Sequence, residues 1–183
     1  MDFKIVFERL LSLFHESNIR YALIGGFAIG LHGVSRSTVD IDFLVHRGDL
    51  TKINEIMKKL GYDCVYSSEN VSQFISPLKV FGEVDYIHAF RDISLKMLER
   101  AEEKKIFNDT INIKVLKVED IIGFKVQAIA NDESRKNLDL GDIEALMALY
   151  KTAIDWDILE GYFSLFKLSL VFTELKRKYC HAE

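Results

Sequence analysis

Seven residues, 39-VDIDFLV-45, limit the fold of this chain more than any other stretch. Val39, Ile41, Phe43 and Val45 alternate with Asp40, Asp42 and Leu44, the period of a β-strand, whose successive side chains leave opposite faces. One face is apolar and the other carries two carboxylates. The strand ends the most apolar run of the chain, Tyr21 to Val45, so both acids sit at the margin of a core, where a carboxylate is costly unless a cation or donor meets it. At i and i+2 they stand about 7 Å apart along the backbone, at ~3.3 Å rise per residue. A divalent cation reconciles them most simply. Magnesium suits the arrangement, because it takes a few carboxylate oxygens and fills its remaining positions with water and phosphate oxygens.

Two-metal phosphoryl-transfer sites use a third carboxylate from a neighbouring strand. Asp85 is the candidate, since 83-EVDYIHA-89 also alternates and presents Asp85 to the acidic face if the two strands pair. Upstream, Gly25-Gly26 lies between a short strand, Tyr21 to Ile24, and a short helix over Phe27 to Leu31, where glycine lets backbone approach a phosphate. Between that helix and the aspartates, 35-SRST-38 offers hydroxyls and one guanidinium suited to triphosphate oxygens.

The remaining periodicities predict a mixed α/β core, residues 1–117, followed by a helical bundle, residues 118–183, packed on it. An amphipathic helix is expected over 2–17 and another over 49–60, ending at Gly61. Strand-like pieces follow near 62–67 and 72–75, then a hairpin over 78–89 turning at Gly82, a helix over 92–104 and a strand over 111–117. Helices are expected over 118–131, 136–151, 156–168 and 170–179.

Composition narrows the function. A net charge of −4 gives no overall positive field to hold nucleic acid, so such a partner needs a local site. Cys64 and Cys180 are far apart and lack metal-ligand spacing, which fits a reducing cytoplasm. The longest nearly uncharged run, Tyr21 to Val34, is too short to span a membrane and holds four glycines. His15, His46, His88 and His181 show no metal spacing, and His32 is expected to be a hydrogen-bonded structural histidine. A solvated helix end accounts for 176-KRK-178 better than an RNA contact does.

The ordered string GG-F-A, then H-G, then R-S-T-V-D-I-D ending at Asp42, resembles the signature of the DNA polymerase β-like nucleotidyltransferase superfamily. Within it the chain is most similar to minimal AbiEii-type enzymes, toxin components of abortive-infection and toxin–antitoxin pairs. The resemblance continues through a Lys-x-x-Asp-x-x-Asp string, here Lys136, Asp139 and Asp142. It implies that Gly25 and Gly26 hold the phosphates of a nucleoside triphosphate. Ser35, Arg36 and Thr38 would lie nearby, and Asp40, Asp42 and Asp85 would bind two Mg2+ ions, with Mn2+ as a substitute. The helical part would supply a basic residue, with Lys136 and Asp139 near the nucleotide. RNA, especially a tRNA 3′ end, is the implied acceptor, with a small molecule or a protein as the alternatives that the acidic balance leaves open, and a cognate antitoxin is the implied partner. Gly26 departs from relatives that carry serine there, and so lacks a hydroxyl contact.

Lys125 stands in the middle of an apolar stripe formed by Ile121, Ile122, Val126, Ala128 and Ile129. Either its stem packs and the ammonium escapes to water, or the ammonium meets phosphate or the metal-bound carboxylates as a catalytic group. Asp139 shares an inward stripe with Ile143, Leu146 and Tyr150 and is expected to cap the helix or pair with a lysine.

Overall fold

The computed structural model describes residues 1–180, so His181 lies outside the described residues. The chain divides into two compact units, one formed by residues 1–28 and 36–116, the other by 29–35 and 117–183. The first contains a seven-stranded mixed sheet. Its strands are β1 (Tyr21–Ile24), β2 (Asp40–His46), β3 (Asp63–Ser67), β4 (Val71–Ile75), β5 (Glu83–Ala89), β6 (Glu102–Ile106) and β7 (Ile111–Val115), in the order β3-β4-β5-β2-β1-β7-β6. β2 runs parallel to β5 and β1 parallel to β7, while the other neighbours are antiparallel.

The alternation in β2 and β5 separates two environments. Ile41, Phe43, Val84 and Tyr86 are fully buried on one face, against helix α1 (Phe3–Glu16). Phe14 meets Phe43 edge-on at 5.5 Å between centroids, and Phe43 stacks on Tyr86 at 5.9 Å. Such ring pairs add about 0.5–1.5 kcal/mol each beyond the area they bury. Tyr86 donates its buried hydroxyl to Met57 Sδ of helix α3 (Leu50–Lys59). This aromatic layer fixes which way β2 and β5 face, and so fixes where their acids go.

Three expectations need correction. The glycine pair does not precede a helix but opens one, since the short helix α2 spans Gly25–Leu31 and Gly25 makes the strand-to-helix turn at φ +68°. The hairpin over 78–89 is not formed. Residues 78–82 are a connection, and β5 pairs with β4 instead, because Ser76 N–H closes the link on Gly82 carbonyl. The helix from 92 stops at Glu99, the end of α4 (Asp92–Glu99), and Glu102–Ile106 forms the sheet-edge strand β6. Glu103 there stands opposite Lys114 of β7, and the hairpin turns through Phe107, Asn108 and Asp109 at positive φ.

The second unit is helical: α5 (Val118–Asn131), α6 (Lys136–Tyr150), α7 (Trp156–Leu165) and α8 (Ser169–Tyr179). Asp155 caps α7 by accepting from Asp157 and Ile158 N–H. Gly123 lets α5 approach Tyr162, whose ring occupies the space of a side chain there and whose hydroxyl donates to buried Asp120 at 2.6 Å. No helix among the described residues is long and apolar enough to cross a membrane.

Candidate active site

The parallel register of β2 and β5 sets Asp42 directly beside Asp85 and Asp40 beside Glu83. β4 adds one more strand to the row, with Gln73 opposite Asp85. Three strands therefore present Gln73, Asp85 and Asp42 abreast, with Glu83 and Asp40 two residues back on the same face. All four acids are half-buried.

Gly25 follows the β1 residue that pairs with Asp42, and its bare α-carbon makes room for that acid. A β-carbon at position 25 would overlap Asp42 Oδ2, and the positive φ disfavours any side chain as well. Gly26 is also crowded, since a β-carbon there would lie 2.9 Å from Thr38 Oγ1 and 3.6 Å from Arg36 Nε. The Thr38 hydroxyl thus fills the space beside Gly26. It donates to Asp40 Oδ1 at 2.7 Å, and to the Asp40 carbonyl at 3.2 Å.

Asp85 is the strained member. Burial pushes its carboxyl above the usual range. A hydrogen bond from Gln73 opposes that shift, and the like charges of Glu83 and Asp40 add to it. Gln73 Nε2 donates to Asp85 Oδ2 at 3.1 Å, while Asp85 Oδ1 is buried and accepts no hydrogen bond. Gln73 was invisible to the motif reading. Its only signal was a polar residue on a strand two pairings from Asp42.

The donor chemistry fits hard divalent cations: carboxylate oxygens on adjacent strands, with one buried oxygen lacking a donor. Among the described residues no three His, Cys, Asp or Glu side chains are gathered into a ligand set. Asp40 accepts a hydrogen bond from Thr38 in its own segment, and Asp85 accepts one from Gln73 on the next strand.

The candidate residues of the helical unit form a separate cluster. Lys125 Nζ donates to Asp139 Oδ1 at 2.7 Å and stands 2.9 Å from Asp142 Oδ2. Arg135 Nε reaches Asp139 Oδ2 at 3.0 Å. Two aspartates of α6 hold the ammonium, because a buried cation among apolar neighbours requires a counter-charge. Lys136 is exposed at the start of α6, and Ser35 is exposed within the second unit. His32 is buried, 3.0 Å from the Tyr150 hydroxyl.

The family described as an uncharacterised nucleotidyltransferase matches residues 5–169, nearly the whole chain. The chain belongs to that family. No curated protein matches this nucleotidyltransferase in sequence. Solved structures share its fold. That of the antibiotic-resistance factor ANT(2″)-Ia in solution superposes with a TM-score of 0.63 at 18% identity, covering 100% of both chains. The ANT(2″)-Ia crystal structure with adenylyl-2″-tobramycin gives 0.63 at 15% identity, over 89% of this chain and 95% of that one. The lincosamide adenylyltransferase LnuA with lincomycin bound gives 0.57 at 17%, over 79% and 96%. This nucleotidyltransferase is an enzyme of the phosphoryl-transfer class with that shared architecture.

Proposed function

We propose that the enzyme transfers a nucleoside monophosphate from a nucleoside triphosphate to the hydroxyl of a small molecule. What carries the reading is the β2–β5 register, which sets Asp85 beside Asp42 on the face that also holds Asp40. Asp40, Asp42 and Asp85 would hold the divalent ions, which when bound neutralise charge on the triphosphate and the transferring phosphoryl group. The resemblance assigns the phosphates to Gly25 and Gly26, whose bare α-carbons also make room for Asp42 and Thr38, and Arg36, beside Gly26, offers the guanidinium. Asp85 Oδ1, whose carboxyl is made more basic chiefly by burial, takes the proton of the acceptor hydroxyl. The acceptor oxygen bonds to the α-phosphorus, and the bond to pyrophosphate breaks.

A small acceptor is favoured over RNA by charge. The chain is net −4, and its most basic run is already compensated: Lys176 pairs with Glu160 at 3.8 Å and Lys178 with Glu144 at 3.0 Å. Hydroxylated antibiotics of the kind named for ANT(2″)-Ia and LnuA define the first panel to test.

The test incubates the protein with each labelled NTP and Mg2+ against that panel and, separately, against total tRNA. Label appearing on a small molecule, absent with Asp40→Ala, supports the proposal. Label on tRNA alone moves the acceptor to RNA, and no pyrophosphate release with any acceptor removes the catalytic reading.

A further inference from the structure

Asp85 is held across the sheet rather than from within its own segment. An aspartate's terminal torsion is broad, so an unheld carboxylate samples many orientations. Asp40 is restrained by Thr38 through a bond inside its own segment. Asp85 has no such local donor. Its restraint comes from the next strand, where Gln73 stands directly opposite in the antiparallel β4–β5 register and donates at 3.1 Å to Oδ2.

We infer that Gln73 is a positioning residue for the reaction, its amide fixing one oxygen of Asp85 so that the other, Oδ1, is kept for metal and acceptor. The inference rests on the reading of the site given above. Three features make an amide the suitable group. Gln73 shares a row with Asp85 and Asp42, so its side chain leaves the sheet on the acidic face with no detour. It donates a single bond, leaving Oδ1 buried and without a hydrogen bond. It is also neutral. A lysine or arginine at position 73 would hold Asp85 more tightly and at the same time repel the divalent ions that the acids are to bind. Outer residues that orient a metal-binding side chain in this way are typically worth ten- to a hundredfold in metal affinity or activity.

The test compares wild type with Gln73→Met, which keeps the length and removes the donor, and with Gln73→Ala, which removes the side chain without adding bulk. Mn2+ binding is followed by electron paramagnetic resonance without nucleotide, and turnover is measured at saturating Mn2+. Both variants should melt within a few degrees of wild type. Both should bind Mn2+ about ten- to a hundredfold more weakly and lose kcat by a similar factor, with KM for the nucleotide little changed. A folded variant with wild-type Mn2+ affinity and kcat overturns the assignment, even when Asp40→Ala abolishes binding and so leaves the reading of the site intact. A wild-type protein that binds no Mn2+ overturns both together.

Discussion

In the helical unit the fully buried Asp139 lies between Lys125 and Arg135, and Asp142 shares the lysine. In the sheet unit Asp85 has only the Gln73 amide, and its charged neighbours are acids. Burial pushes both carboxyls up. For Asp139 the hydrogen bonds and charges of Arg135 and Lys125 outweigh it and hold the group below the usual carboxylate range. For Asp85 nothing does, and the group stays raised. The first cluster pairs its two acids with two cations. The second is left charged, at a cost in stability, which is the usual mark of a site that meets its counter-charge in a ligand.

The contrast breaks most sharply at the acids proposed to hold the metals. Asp42→Ala should cut nucleotidyl transfer by at least about a thousandfold in a steady-state assay. Next in size is Lys125→Met. It leaves two buried aspartates without their shared cation and should cost about 3–5 kcal/mol, a fall of roughly 10 °C or more in thermal unfolding. Asp139→Asn added to it should recover part of that loss, giving a measurable coupling in a double-mutant cycle.

Acid should separate the clusters further. Because Asp139 has a folded pKa below its unfolded value, its contribution is fully present above the ordinary carboxylate range and is lost as pH falls through that range toward the folded value. Thermal unfolding between pH 7 and pH 3 should show this decline, and Asp139→Asn should be less stable at neutral pH with a flatter profile. The smallest effect has the opposite sign. Asp85 is raised, so its charge opposes folding at neutral pH, and Asp85→Asn should increase the melting temperature slightly in metal-free buffer while activity collapses.

The two acidic groups were not equally legible in the sequence. Period-two alternation in 39-VDIDFLV-45 and 83-EVDYIHA-89 was enough to put Asp40, Asp42 and Asp85 on polar faces, because the opposite face had to bury Phe43 and Tyr86. Which strands were neighbours was not written locally. The apolar pair Leu78 and Val80 imitates a strand but lies in an exposed connection, whereas β6, with Glu102 to Lys105, is charged on both faces and reads as helix. An edge strand needs only one partner, so its pattern carries little signal. The stripe around Lys125 turned the lysine's stem inward and left its ammonium open between water and the phosphate or metal-bound carboxylates. The aspartates that hold it are on another helix, and that pairing depends on packing that no single helix encodes.

The pairing of β2 with β5 joins strands separated in the chain by a helix and two other strands. A slip of one residue there would swing Asp85 to the aromatic side and bring Tyr86 out in its place. Such a molecule would keep its helices and most of its compactness yet be inert. Specific activity in this enzyme therefore doubles as a proofreading signal, counting the fraction of molecules whose central strands have come together in correct alignment.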